Sequence, residues 1–264
     1  SGQIAGVNLA GGGYALSIWE DGELFQIPDE RTGIPQSFND RGEVMATYQR
    51  RSPQGYITGT GLRIITKDDS TTLDLPPLTG GGYRQAYQGW GPDSKGFVVA
   101  SGNYDYGLKT KTFVWDGTNS FQPLTQIPTV QAASDAGLVF GEFPAVWPNS
   151  QYGVVDLVSG ETNVVAVGSQ INRTSAIDFG DGGHLLYNNA DGTFLWTSEE
   201  RVTLDIDFSP SRVNGKGDVI GTLRRPGPES VIRRADGSYI TLKDLAGDTT
   251  GWGNLNQPLD INDN

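Results

Sequence analysis

The sequence contains no cysteine and only one histidine among its 264 residues. Without cysteine the chain cannot form disulfides, thiolate metal centres or a cysteine nucleophile. A single histidine, His184, is too few for a zinc site of the usual composition. No Gly-x-Ser-x-Gly segment accompanies it, as a serine hydrolase of the common kind would need. We therefore expect His184 to be structural, and we expect no metal and no cofactor.

Basic residues are scarce, and long apolar runs are absent. The 19 Lys and Arg against 31 Asp and Glu give a formal net charge of -12 at pH 7. This charge disfavours nucleic acid as a partner, because both molecules are negative. No stretch approaches the ~18 apolar residues that a membrane-spanning helix requires. We expect neither nucleic-acid binding nor a membrane span.

Glycine, proline and aromatic residues are abundant instead. The chain has 37 Gly, 14 Pro, 6 Trp, 10 Tyr and 10 Phe. Gly and Pro mark turns, and aromatic side chains favour the pleated surfaces of strands. This composition is typical of many short strands joined by tight turns, so it predicts an all-β chain.

One turn pattern recurs along the chain: an apolar strand, an Asn- or Asp-rich turn that ends in Gly, and a second strand. The five internal copies end at Gly42, Gly96, Gly137, Gly183 and Gly217. Asn, Asp and Gly suit such turns because they tolerate a left-handed backbone. Residues 259–264 followed by residues 1–6 form a sixth copy. Six units in 264 residues average 44 residues each, the length of a four-stranded blade.

A second hairpin pattern follows the first within each unit. Its turns lie at Asp21-Gly22, Asp68-Asp69, Asp116-Gly117, Ser159-Gly160, Ser198-Glu199 and Asp236-Gly237. Two hairpins make four strands per unit. We therefore predict one domain over residues 1–264, an all-β six-bladed β-propeller with four antiparallel strands per blade and a last blade closed by both termini.

The units resemble the short bacterial extracellular repeats of the HAF type. Their pattern is roughly Ile-Asn-Asp-x-Gly-x-Val-Val-Gly followed by Ala-Phe-x-Trp. The resemblance is carried by residues 38–42, 213–221 and 261–264 and by the segments that contain Trp19, Trp115 and Trp196. The family's histidine is absent from every copy. The resemblance implies export, and hence an extracellular or periplasmic location.

The connections of the predicted blades fall into two classes. The first-to-second and third-to-fourth connections share one face and are short and uniform, so we expect that face to offer little to a ligand. The other connections vary in length and are rich in Tyr, Trp, Arg and amides, as binding loops are. We predict that they carry the ligand-binding residues, which are Tyr14, Arg50, Arg51, Tyr56, Arg84, Tyr87, Tyr104, Tyr106, Trp147, Asn188, Arg224 and Trp252.

These residues and turns also have structural interpretations. The aromatic residues are suited to packing between blades, and the arginines to pairing with nearby acids. The Asp- and Asn-rich turns are suited to calcium, best at residues 260–264. However, a downstream acid is missing there, and the equivalent turns carry Arg41, Lys95 and Lys216. Turn formation explains these residues without metal.

The function predicted from these features is an exported, monomeric recognition module for a carbohydrate or an extracellular protein, rather than an enzyme. One alternative is a glycosidase that uses two carboxylates among Asp105, Glu142, Asp191 and Glu229. A polysaccharide lyase with a tyrosine base is a related alternative. A third interpretation is a scaffold whose ligand is another domain of a longer chain.

Overall fold

A computed structural model gives the fold, and the statements below concern the residues that it describes. These are residues 4–10, 13–20, 23–27, 34–39, 41, 43–66, 70–73, 85–104, 109–118, 121–144, 149–169, 174–224 and 227–246. The chain divides into two compact units, Ser1–Gly137 and Leu138–Asn264, and each is described by itself. The prediction of a single domain over residues 1–264 stays a prediction.

The first unit consists of short strands. They are β1 (Ile4–Ala10), β2 (Gly13–Glu20), β3 (Glu23–Gln26), β4 (Ile34–Phe38), β5 (Val44–Arg51), β6 (Ile57–Ile65), β7 (Ser70–Leu73), β8 (Gln85–Trp90), β9 (Val98–Tyr104), β10 (Lys109–Trp115), β11 (Gln122–Pro123) and β12 (Thr129–Ala133). β1, β2 and β3 form an antiparallel three-stranded sheet. β4 to β7 and β8 to β11 form two antiparallel four-stranded sets, and a parallel pairing of Thr60 with Gln85 joins them.

The second unit continues the same pattern. Its elements are β13 (Leu138–Glu142), β14 (Asn149–Asp156), β15 (Thr162–Ser169), β16 (Ser175–Phe179), β17 (Leu185–Asn189), β18 (Gly192–Trp196), β19 (Arg201–Thr203), β20 (Phe208–Val213), β21 (Val219–Leu223), β22 (Glu229–Arg233), β23 (Tyr239–Thr241) and α1 (Leu242–Ala246). The four-stranded sheets are β12-β13-β14-β15, β16-β17-β18-β19 and β20-β21-β22-β23. In the described part of the chain, no helix has the length and apolar character needed to cross a membrane.

The antiparallel sheets confirm an all-β fold, but the predicted closed six-bladed propeller is wrong. The described residues form five four-stranded sets and one three-stranded sheet, and none of these sheets is closed. After β23 the chain enters the short helix α1 instead of extending another strand. The strand that was predicted to complete the sheet of β1 to β3 falls in residues 259–264, which lie outside the described residues.

In three of the hairpins that join the first strand of a sheet to the second, a buried Asn or Asp side chain accepts hydrogen bonds from the backbone of the same turn. Its Oδ1 accepts the N–H groups of the residues two and four positions later, at 2.8–3.1 Å. The side chains are Asn39, Asp93 and Asn214, each no more than 6% exposed. Ser134 is similarly buried in the turn between β12 and β13. The Asn and Asp residues of the sequence pattern therefore determine turn geometry, as predicted.

Hydrogen bonds join neighbouring turns of the first unit into a row, which we call the turn ladder (residues 39–43, 91–97 and 134–137). Asn39 Nδ2 donates to the carbonyl oxygen of Pro92 at 2.8 Å, and Arg41 Nη1 donates to that of Ser94 at 2.9 Å. Ser94 Oγ in turn donates to the carbonyl oxygen of Asp135 at 2.7 Å. The ladder fixes the short connections of successive sheets against one another.

The cores lie between the sheets. In the first unit, Trp115 packs against buried residues that include Met45, Leu62, Val98 and Phe113. In the second unit, four rings that are at most 4% exposed form a row across two sheets. They are, in spatial order, Tyr152, Phe140, Tyr187 and Phe194, with successive centroids 5.3–6.3 Å apart. Such aromatic contacts add to the free energy of apolar burial.

Candidate functional site

Eight of the twelve predicted ligand-binding residues lie on described backbone. Tyr14 is near the start of β2, Arg50 and Arg51 end β5, and Tyr104 ends β9. Tyr87 is the extra residue at a register shift in β8, between Ala86 and Gln88. Four predicted residues lie outside the described residues: Arg84, Tyr106, Trp147 and Trp252.

The remaining three predicted residues have described side chains. Tyr56 is 75% exposed before β6. Asn188 is exposed near the end of β17. Arg224 is exposed after β21, and its Nη2 donates to Ser209 Oγ at 3.3 Å. They occupy second-to-third connections of three different sheets. Their accessibility suits a ligand, and their role in binding stays a prediction.

A cavity of about 350 Å³ lies at the other end of the sheets of the first unit, among the short connections. We call it the Trp115 cavity. Its lining includes Trp115 at the end of β10, Thr66 after β6, Thr71 of β7 and the turn residues Arg41 and Glu43. Trp115 is partly buried, so one side packs on the core while the rest borders the cavity.

The second unit contains a cavity of the same size, about 350 Å³, which we call the Trp196 cavity. Its lining includes Trp196 at the end of β18, His184 from the turn between β16 and β17, and Glu199 and Glu200 from the hairpin between β18 and β19. Leu138 of β13 also lines it. Both cavities fall at the lower end of the ~300–1,000 Å³ range of small-molecule sites.

The two cavities occupy the same place in the repeat. Trp115 and Trp196 each end the third strand of their sheet. The preceding sheet contributes Glu43 to one cavity and Leu138 to the other, and each directly follows the last Gly of its turn. The closing Gly of the sheet's own first turn lines each cavity as well. These three positions match in the two units. The lining hairpin differs, because Thr66 and Thr71 of the Trp115 cavity belong to the preceding sheet, whereas Glu199 and Glu200 of the Trp196 cavity belong to the same sheet as the tryptophan.

The hairpin that carries the two glutamates is held in one shape by Thr197. The Thr197 N–H donates to the carbonyl oxygen of Glu200 at 2.9 Å. Thr197 Oγ1 accepts the backbone N–H groups of Glu199 and Glu200 at 3.2 and 3.1 Å. The backbone beneath both carboxylates is thus ordered before any ligand arrives, which lowers the entropic cost of binding.

The position of His184 depends on a glycine in the next turn. A Cβ atom on Gly217 would lie 2.9 Å from His184 Nε2. Gly217 has a φ of +83°, which also favours glycine there. The imidazole therefore lies against this turn while it lines the Trp196 cavity.

The three described acids of the predicted glycosidase alternative, Glu142, Asp191 and Glu229, lie in three different sheets, and their pairing stays a prediction. Glu142 Oε1 accepts the Ser150 hydroxyl at 2.5 Å, a contact that holds it within its own sheet. Asp191 and Glu229 belong to two other sheets, and Asp105 lies outside the described residues. Among the described residues, no group of three His, Asp or Glu side chains is placed to hold a metal ion.

Sequence reasoning missed the two cavities. It treated Trp115 and Trp196 as part of the repeat signature and expected the face with short connections to offer little to a ligand. The signal was the recurrence of Trp at the end of the third strand. Each cavity also needs a residue from the preceding sheet, and that contact is absent from any local pattern.

Comparisons with known proteins show the fold alone. No protein-family model matches the sequence, and no curated protein matches it. The Pyrococcus horikoshii acylaminoacyl peptidase is similar in structure, with a TM-score of 0.59, 11% identity, and coverage of 92% of this chain and 44% of that chain. The Porphyromonas gingivalis dipeptidyl peptidase 4 gives a TM-score of 0.51, 10% identity, and coverage of 90% and 44% respectively.

This chain therefore spans 44% of the length of each of these two peptidases. Together with the sheet topology, the similarity shows an all-β, propeller-like fold. Function has to be argued from the site, because one fold hosts many functions.

Proposed function

We propose that this chain is a carbohydrate-recognition module whose ligand sites include the Trp115 and Trp196 cavities. The observation that carries the proposal is that a cavity of about 350 Å³ lies beside the tryptophan that ends a third strand in each of two sheets. Packing alone requires apolar residues at these positions. It does not require an open cavity beside each ring.

The chemistry of the linings favours a sugar. A sugar ring has an apolar C–H face and a rim of hydroxyl groups, so it needs one flat apolar surface and several hydrogen-bonding groups. Trp115 and Trp196 supply the flat surfaces. Thr66 and Thr71 in one cavity, and Glu199 with Glu200 in the other, supply the hydrogen-bonding groups.

Export to the extracellular or periplasmic space is part of the same proposal. It is supported by the resemblance of the units to HAF-type repeats. The variable connections with Tyr56, Asn188 and Arg224 are proposed as a second recognition surface, for a carbohydrate or an extracellular protein. The exposure of these three side chains supports that role.

Replacing the cavity tryptophans is expected to weaken binding. The purified chain is first screened against an array of neutral, anionic and amino-sugar oligosaccharides, and hits are titrated by calorimetry. Trp115→Ala and Trp196→Ala should each weaken binding at their own cavity by at least about tenfold, because a stacked aromatic ring supplies much of the affinity of such a site. The double variant should lose the hit.

Tyr56→Ala is the comparison variant for the second recognition surface, since it removes an exposed aromatic ring from a second-to-third connection. Thermal unfolding of each variant separates lost binding from lost folding. Absence of any hit, or a hit that the double tryptophan variant retains, contradicts the proposed sites. A hit that is lost only in Tyr56→Ala transfers the function to the variable connections.

A further inference from the structure

The charged side chains that line the Trp196 cavity are all acidic. Its charged lining residues are Glu199 and Glu200, and no Lys or Arg lines it. Arg201, the next residue, places its guanidinium 4.9 Å from the centre of the Phe194 ring. That cation is engaged with a buried aromatic ring of the sheet and is not part of the cavity lining.

The ring of Trp196 adds to the attraction for a cation. The face of an indole ring is electron-rich and binds ammonium groups, more strongly than the rings of Tyr or Phe do. Carboxylates beside the ring favour the same ligand charge. Because Thr197 holds the hairpin backbone, both glutamates stay close to the cavity mouth.

The Trp115 cavity differs in charge although it occupies the equivalent place. Its cation and its anion neutralise each other, because Arg41 Nη2 lies 2.6 Å from Glu43 Oε2. Arg41 Nη1 is also bound to the carbonyl oxygen of Ser94. The other polar side chains of the lining are the hydroxyls of Thr66 and Thr71. This cavity therefore suits an uncharged ligand.

We propose that the two cavities select different ligands. The Trp196 cavity binds a sugar that carries an ammonium group, that is, an amino sugar with a free amine, and the Trp115 cavity binds a neutral sugar. This inference rests on the proposed carbohydrate recognition and assigns its ligand classes. The amine lies between the indole face and the carboxylates of Glu199 and Glu200.

The test compares three tetrasaccharides of the same backbone: one of glucosamine, its N-acetylated form and its N-trimethylated form. The N-trimethylated form keeps its charge at every pH, so its binding is measured without titration of the ligand. To isolate the Trp196 cavity, titrations use the folded Trp115→Ala chain. The N-trimethylated form should bind about tenfold more tightly than the N-acetylated form, and the preference should shrink as salt is added.

Glu199→Gln/Glu200→Gln should reduce this preference to about twofold or less, with the affinity for the N-acetylated form nearly unchanged. Glu199→Lys/Glu200→Lys should invert the preference. Glu161→Gln is the control, because Glu161 is exposed in the third-to-fourth hairpin of the preceding sheet, outside the cavity. It should keep the wild-type preference.

The outcomes separate this inference from the proposed function. Equal affinity for the N-acetylated and N-trimethylated forms, or a preference that survives in Glu199→Gln/Glu200→Gln, overturns the charge selectivity and leaves carbohydrate recognition in place. If neither form binds, and the wild-type chain gives no hit at the Trp115 cavity, then both the charge selectivity and the carbohydrate recognition are overturned. Loss of both forms in Trp196→Ala with the fold intact supports both.

Discussion

Tyr187→Ala is expected to destabilise the protein by about 3–5 kcal/mol, the usual cost of removing a large ring from a core. Tyr187 is fully buried in β17. Its ring centroid lies 5.3 Å from that of Phe194 and 6.3 Å from that of Phe140. Alanine leaves a void in the middle of this aromatic row, between two sheets. Urea unfolding followed by circular dichroism measures the loss.

Tyr187→Phe is the matched control for this prediction. It keeps the ring and removes only the hydroxyl, so we expect a loss of about 1 kcal/mol or less. Burial raises the pKa of the Tyr187 phenol, and the nearby Arg201 opposes that effect only in part. A phenol that stays neutral adds no charge to the core. A loss below about 1 kcal/mol for Tyr187→Ala would show that the row does not support the fold.

Asp93→Asn is expected to stabilise the protein at neutral pH by about 1–3 kcal/mol, because it removes a buried carboxylate with one unsatisfied oxygen. Asp93 is 4% exposed. Its Oδ2 has no hydrogen-bond partner, while Oδ1 accepts two backbone N–H groups. Asn39 holds the equivalent position, and its amide donates to Pro92 of the next turn. An asparagine at position 93 offers the same donor to the following turn.

The stabilisation by Asp93→Asn should depend on pH. Burial raises the pKa of Asp93 above its usual value of 3.8, and the N–H groups of Phe97 and Lys95 and the charge of Lys95 oppose the shift only in part. The folded state therefore holds this proton more tightly than the unfolded state does. Below about pH 3.8, Asp93 therefore does not reduce the free energy of unfolding. This free energy falls as the pH rises through the folded-state pKa of Asp93, and it stays lower above that pKa.

Two measurements test the pH dependence. The difference in unfolding free energy between Asp93→Asn and wild type should be largest at about pH 7 and should shrink at about pH 3, where both states carry the proton. The reciprocal variant Asn39→Asp should destabilise by about 1–3 kcal/mol at neutral pH, because it places a carboxylate oxygen against the carbonyl of Pro92. A pH-independent gain would contradict the assigned cause.

The turn ladder places the Trp115 cavity of the first unit, since Arg41, Glu43 and Gly96 belong both to the ladder and to the lining. In each unit, the short connections place the closing Gly of one turn (Gly96 or Gly183) beside the residue that follows the closing Gly of the preceding turn (Glu43 or Leu138). The tryptophan at the end of the third strand also lines the cavity. Glu43 and Leu138, which occupy equivalent positions, differ in charge. The two proposed ligand classes arise from the charged side chains of each lining: Arg41 pairs with Glu43 in the Trp115 cavity, whereas Glu199 and Glu200 are the charged residues of the Trp196 cavity.

Local patterns predicted the hairpins well. Strands flank the turns that end at Gly96 and Gly183, and those around Asp116-Gly117 and Ser198-Glu199, as the sequence pattern required. These features are local, since an Asn or Asp side chain binds backbone only two and four residues ahead. The closed six-bladed ring was predicted from a pattern that spans both termini, and the described sheets do not support it.

The amino-acid sequence by itself determined the all-β class, the four-stranded unit and the tight turns at Gly96, Gly183, Asp116-Gly117 and Ser198-Glu199, because strand alternation and turn chemistry act over a few residues. Only the tertiary structure decided which face carries cavities and how they are charged. Trp196 borders a cavity that Leu138 of another sheet also lines. Arg41 is neutralised because Glu43 lies within reach and Ser94 of the next turn binds the same guanidinium. Such contacts depend on how sheets pack, and packing joins residues that are distant in the chain.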